Sequence, residues 1–144
     1  MKKCFLYGVL SLFIFSFQAQ ADFFQSIKNR QYDQALKDIQ TLSDINQKDE
    51  DGWTALMYAA RLGQLEIAKV LIESNADLEA QNHAGLTPFL WATYAGHIDM
   101  MKFLTEKGAN TQKETAFHEN ALELASAMNN KEVVRYLLST IEDE

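Results

Sequence analysis

The strongest constraint on the fold of this 144-residue chain is that its sequence repeats with an offset of 33 residues. A shift of the chain along itself by this distance superposes turn, small and apolar positions. The matched pairs include Gly52 with Gly85, Thr54 with Thr87, Ala59 with Ala92, Gly63 with Gly96, and Leu71 with Leu104. A second shift superposes Ala92 on Ala125. A fixed offset of this length indicates an array of units, each of which buries one face against its neighbours.

Each unit contains the signals for two short helices. In residues 49–81, Gly52 lies in a turn and Thr54 follows as a helix N-cap, so a first helix is predicted over residues 55–61. Gly63 breaks this helix at a position suited to positive φ. A second helix is predicted over residues 65–73.

These motifs resemble ankyrin repeats. The resemblance is carried by DEDGWTALMYAARLGQLEIAKVLIESNAD and NHAGLTPFLWATYAGHIDMMKFLTEKGAN, and it extends from about Asp22 to the end of the chain. It implies an all-α solenoid of four helix-turn-helix repeats, in which two full repeats lie between two capping repeats. The implied boundaries are residues 22–48, 49–81, 82–114 and 115–144.

The sequence departs from the family pattern at several positions. The histidine that usually follows the Thr-Pro pair is replaced by Met57, Leu90 and Glu123, so its hydrogen bond to the loops is expected to be absent. In the first repeat, Arg30 stands where the helix-ending glycine is expected. In the last repeat, Asn120 stands at the capping threonine.

The first 21 residues have the features of a secretory signal peptide. Lys2 and Lys3 give a positive start, residues 5–17 are mostly apolar, and a small-x-small sequence ends at Ala21. Cleavage is predicted after Ala21, and it removes Cys4, the single cysteine. The alternative is an uncleaved membrane anchor, but the apolar run is shorter than the about 20 residues that a spanning helix needs. We therefore expect an exported protein, located in the periplasm or secreted.

The charge of the chain limits its partners. It has 13 basic and 20 acidic residues and a net charge of −7, and loss of the signal peptide removes two lysines and no acids. Nucleic acids and anionic membranes require a basic footprint, so both are excluded as expected partners. The expected partner is another protein, with a basic surface favoured by the acidic balance. We expect the chain itself to be a monomer.

Residue patterns that would support catalysis or metal binding are scarce. His83, His97 and His118 are widely spaced, and a zinc site needs three or four convergent ligands, so structural or surface roles are favoured. The acids before Gly52 resemble the start of a calcium loop, but Tyr58 stands where that loop needs Glu. No nucleophile elbow or phosphate loop is present. The sequence therefore predicts no enzymatic activity, no metal and no cofactor.

The resemblance places the binding surface on the turn tips and on the outer part of each first helix. The corresponding residues in the second and third repeats are Glu50, Asp51, Trp53, Arg61, Leu62, His83, Leu86 and Tyr94. Their large hydrophobic and aromatic members are expected to form one patch, and Trp and Tyr are preferred interface anchors. The alternative is that Trp53 and Leu86 pack on adjacent turns and seal the stack.

The sequence predicts a non-catalytic protein-binding module. It would act as an inhibitor or immunity-type protein, or as a stabilising partner of an envelope enzyme. One alternative is a secreted effector that binds a eukaryotic host protein, because ankyrin arrays are common in such effectors. The other alternative is an enzyme with an unrecognised site.

Overall fold

The computed structural model describes residues 22–42 and 44–142, with side chains described as far as residue 140. The chain divides into two compact units, residues 1–42 and residues 43–144. All regular secondary structure within the described residues is α-helical, which confirms the predicted all-α fold class. The predicted signal peptide lies outside the described residues, as does its cysteine.

The first unit contains one described helix pair. Residues 22–28 are helical and are called α1, and α2 spans Tyr32–Thr41. Arg30, between them, has a φ of 57°, so it adopts the left-handed conformation expected where a glycine would stand. Phe23 and Ile27 of α1 are fully buried.

The second unit contains three helix pairs in chain order. The helices are α3 (Ala55–Leu62), α4 (Leu65–Glu73), α5 (Pro88–Ala95), α6 (Ile98–Glu106), α7 (Ala121–Ala127) and α8 (Lys131–Glu142). The first helices pack in series, α3 on α5 and α5 on α7, and each second helix packs on its own first helix. Ala59, Ala92 and Ala125 are fully buried, and their small side chains allow the helices of this series to approach closely.

Side-chain caps fix where the three first helices begin. Thr54 accepts a hydrogen bond from the N–H of Met57 at 3.4 Å, and Thr87 accepts one from Leu90 at 3.2 Å. Asn120 accepts from the N–H of Glu123 at 3.0 Å, and the Glu123 carboxylate accepts from the N–H of Asn120 at 2.9 Å. This reciprocal pair is a capping box, so the departure from threonine keeps the cap.

A side-chain ladder connects the repeats on their loop side, although the family histidine is absent. The Lys48 ammonium donates to the carbonyl of Gln81 at 2.8 Å. The Gln81 amide then donates to the carbonyl of Glu114, one offset further on, at 3.3 Å, and to that of Gly85 at 2.7 Å. Equivalent positions of successive repeats are thus hydrogen-bonded in sequence.

A second ladder runs through Asn46 and its equivalent, Glu79. The Asn46 amide accepts from the N–H of Asp77 at 2.7 Å and donates to the carbonyl of Asn75 at 3.3 Å. In the next repeat, Glu79 Oε1 accepts from the N–H of Asn110 at 2.7 Å. Glu79 Oε2 is buried and has no hydrogen-bond partner among the described residues. The Glu79 carboxylate can therefore only accept hydrogen bonds at a position where the Asn46 amide of the preceding repeat both accepts and donates.

We expect Glu79→Gln to stabilise the protein. The amide keeps the acceptor for Asn110 and supplies a donor in place of the unpartnered oxygen, and one such hydrogen bond contributes about 1 kcal/mol. Urea unfolding followed by circular dichroism measures the change. Asn46→Asp is the matched opposite change, and it should lower the free energy of unfolding. A destabilised Glu79→Gln protein would contradict the ladder interpretation.

Candidate protein-interaction surface

One side-chain oxygen organises each of three turn tips in the second unit. Asp49 Oδ1 accepts hydrogen bonds from the N–H groups of Asp51 at 3.0 Å and Trp53 at 2.9 Å. Asn82 and Thr115, at the equivalent positions, accept from the residues two and four places on, at 3.0–3.2 Å. In each tip the N–H of the first residue also donates to the carbonyl four residues on. The tips are thus held by several bonds each, and they need little ordering on binding.

The three tips present different chemistry. The first tip carries two exposed acids, Glu50 and Asp51, and the second carries exposed His83. The third carries Phe117, whose side chain is 77% exposed. The most prominent exposed side chains of the tips are therefore two acids, a histidine and a phenylalanine, in chain order.

The second and third tips approach each other closely. The N–H of Ala116 donates to the carbonyl of Ala84 at 3.0 Å. Between them, Gly85 has a φ of 77°, and a Cβ atom at this position would lie 2.3 Å from the nitrogen of Ala116. Only glycine fits both the backbone conformation and the space.

An aromatic stack covers the base of the first tip. The Trp53 ring lies between Tyr58 of α3, with ring centroids 4.7 Å apart, and Trp91 of α5, with centroids 4.1 Å apart. The Arg61 guanidinium carbon is 5.5 Å from the centroid of each indole, within cation–π distance. Tyr94 meets Trp91 edge to face at 5.5 Å. The stack joins the second and third repeats, and it contains both tryptophans of the chain.

Asp49 also fastens this stack to the tip. Its Oδ2 atom accepts a hydrogen bond from the Tyr58 hydroxyl at 2.5 Å. Burial raises the pKa of Tyr58 well above its usual value, and the hydrogen bond to Asp49 and the nearby charges of Asp49 and Asp51 raise it further. The phenol therefore remains protonated and keeps its role as donor throughout the physiological pH range.

The eight predicted surface residues differ in their solvent exposure. Five of them are exposed, namely Glu50, Asp51, Arg61, His83 and Tyr94.

Trp53 and Leu62 are half-buried, and Leu86 is only 9% exposed. Leu86 is therefore not an exposed member of the predicted patch, because its side chain is buried. The Trp53 ring contacts Tyr58 and Trp91, which agrees with the sealing alternative for this residue. That the exposed members bind a partner stays a prediction.

Three residues with a place on this surface were not predicted. Trp91 is equivalent to Tyr58, one offset earlier, and it contacts both Trp53 and Tyr94 in the stack. Phe117 and Met128, which is 44% exposed, are equivalent to Asp51 and Leu62, two offsets earlier. Extension of the surface positions into the fourth repeat would have identified both. We call the surface formed by residues 50–51, 83–84 and 116–117 together with Arg61, Tyr94 and Met128 the tip face.

The three histidines have separate surroundings. His97 Nε2 lies 3.1 Å from the carbonyl oxygen of Arg61, which is the structural role expected of it. His83 packs beside Gly52, and His118 Nδ1 lies 3.5 Å from a carboxylate oxygen of Glu114. Within the described part of the chain, no group of three or more His, Cys, Asp or Glu residues is arranged to hold a metal ion. In the same part, every helix is too short or too polar to cross a membrane.

A family model described as "Ankyrin repeats (many copies)" matches residues 30–72 and 56–105. None of the curated proteins that were compared with the sequence matches it. The matched ranges include the first two tips and every residue of the aromatic stack.

We expect Trp53→Ala to lower the free energy of unfolding by about 2 kcal/mol, because it removes two ring contacts and leaves a gap between Tyr58 and Trp91. Tyr94→Ala is the control, because its side chain is 39% exposed and its loss should cost less than about 1 kcal/mol. Equilibrium urea unfolding followed by circular dichroism measures both. Equal losses would show that the stack does not depend on Trp53.

We expect Gly85→Ala to lower stability much more than Gly108→Ala. Both glycines have positive φ, 77° and 93°, so both substitutions carry a backbone cost of about 1–2 kcal/mol. Only at Gly85 does the new Cβ collide with another tip, whereas at Gly108 it meets nothing within 4 Å. Thermal melts of the two variants give the comparison. Melting temperatures lowered by the same amount would contradict the close approach of the tips.

Proposed function

Because this chain belongs to the ankyrin-repeat family, whose repeats indicate protein–protein interaction modules, we propose that it is an exported, non-catalytic protein that binds another protein through its tip face. The observation that carries the proposal is the exposure of large apolar side chains on a rigid surface. Tyr94, Phe117 and Met128 are 39%, 77% and 44% exposed.

The energetics of the tip face favour binding. Removal of one such side chain from water contributes about 1.5–3 kcal/mol when its burial is complete. The cost of ordering is small, since hydrogen bonds within the protein already hold each tip. Tyr94 and Arg61 also belong to the residue types that contribute most at interfaces.

The acidic charge of the chain favours a basic partner. The net charge is −7, and the exposed acids of the first tip lie on the tip face itself. Opposite charges increase the rate of encounter and suppress wrong partners, and their effect decreases with salt. We therefore propose that the partner presents basic side chains to this surface.

The proposed location depends on the sequence of residues 1–21. Their positive start, apolar run and small-residue end favour export, so the protein would act in the periplasm or outside the cell. In that location, a module without recognisable catalytic residues would regulate another protein. We propose that it inhibits or stabilises an enzyme of the cell envelope.

The experiment that tests this function is affinity capture from the envelope and the medium of the source cells. We expect a partner that is retained by the unaltered chain and lost with the double variant Tyr94→Ser/Phe117→Ser. Leu138→Ser is the matched control, because Leu138 is 46% exposed and lies on α8, outside the tip face. Capture that is equally sensitive to Leu138→Ser would contradict the tip face as the binding site.

Cell fractionation tests the location separately. Recovery of the chain, shortened by residues 1–21, from the osmotic-shock fluid agrees with a periplasmic role. Recovery from the medium, with capture of a host protein, would replace this proposal with the secreted-effector alternative. Recovery from the cytoplasm at full length would contradict export.

A further inference from the structure

The exposed side chains of the three tips differ in charge and polarity from the first tip to the third. Glu50 and Asp51 at the first tip are exposed, and their carboxylates have no ion-pair partner among the described residues. Arg61, the nearby cation, has its guanidinium over the two indoles. The first tip therefore offers unpaired negative charge to a ligand.

The carboxylates near the third tip are engaged within the protein. A Glu114 oxygen lies 3.5 Å from His118 Nδ1, and Glu119 Oε2 accepts from the Thr115 hydroxyl at 3.4 Å. Phe117 is the most exposed large apolar side chain among the described residues. Met128 adds a second apolar group on the same repeat. The third tip therefore offers the largest exposed apolar side chains of the three.

The second tip carries no carboxylate and no large apolar side chain that is exposed. It carries His83 and the small Ala84, whose carbonyl already accepts from Ala116. Its hydrogen-bonded contact with the third tip leaves no wide gap between them. A bound chain that runs from the first tip to the third would therefore pass His83 and Ala84.

The distance between the outer tips follows from the packing of the helices. The first helices pack in series, and packed helices have axes about 8–10 Å apart, so two steps cover about 16–20 Å. An extended chain rises about 3.3 Å per residue, so about five or six residues span this distance. A helical segment would need about 11–13 residues at its rise of about 1.5 Å.

We propose that the tip face binds an extended segment of the partner with a basic residue at the first tip and a large apolar residue at the third tip, about five or six positions apart. This inference rests on the proposed function and specifies the partner's chemistry. The aromatic stack lies beside the first anchor, because Trp53 belongs to the first tip and stacks on Tyr58 and Trp91.

The test is selection from a random twelve-residue peptide library on the immobilised chain. We expect enriched peptides to pair Lys or Arg with Leu, Phe or Met at the stated spacing. A synthetic enriched peptide should change the tryptophan fluorescence of the chain, because both tryptophans lie in the stack. A spacing of about 11–13, or the absence of a basic and apolar pair, would overturn the inference.

Matched substitutions separate the two anchors. We expect Glu50→Lys to weaken the selected peptide about tenfold at low salt and to reduce its salt dependence, whereas Glu73→Lys, on α4, changes neither strongly. Phe117→Ser should weaken binding about tenfold at every salt concentration, and Leu138→Ser should not. These side chains are exposed, so the variants should fold. Equal effects of the control and tip substitutions would also overturn the inference.

The inference and the proposed function fail in different ways. If a natural partner is captured and its binding needs Tyr94 and Phe117, the proposed function stands. If the selected peptides then lack the paired basic and apolar residues, only the inference is overturned. The absence of any partner that depends on the tip face removes the function itself.

Discussion

The capture of two backbone N–H groups by one side-chain oxygen at the start of each turn is the interaction on which the second unit depends. Aspartate, asparagine and threonine perform this role at positions 49, 82 and 115, so the requirement is for an oxygen acceptor and not for one residue type. The hydrogen-bonded turn positions the capping residue, which follows five positions later, and the cap determines where the first helix begins. Tip shape, helix start and helix packing therefore have a common origin.

The repeat offset predicts the features that recur at equivalent positions. Thr54 and Thr87 cap helices, and Arg30 adopts the left-handed backbone where the pattern calls for glycine. These features are local, because each depends on a few neighbouring backbone groups. Extension of the same offset into the fourth repeat would also have identified Phe117 and Met128.

Contacts between non-equivalent positions could not be predicted in this way. Trp53 belongs to a turn, yet it packs against Trp91 in the next first helix, and an alignment of repeats does not pair these positions. Its half-burial is a consequence of that contact. The second tip has Leu86 at the equivalent place, and its lower exposure shows that equivalent backbone positions need not give equivalent surfaces. The sequence therefore predicts the scaffold better than the surface.

The fourth repeat has a charged residue at a position where the second and third repeats have a buried apolar residue. Met57 and Leu90 are fully buried, whereas Glu123, at the same position in α7, is exposed and closes a capping box with Asn120. The residue that interrupts the buried apolar pattern of the earlier repeats thus completes the start of its own helix, because its carboxylate accepts the hydrogen bond from the N–H of Asn120.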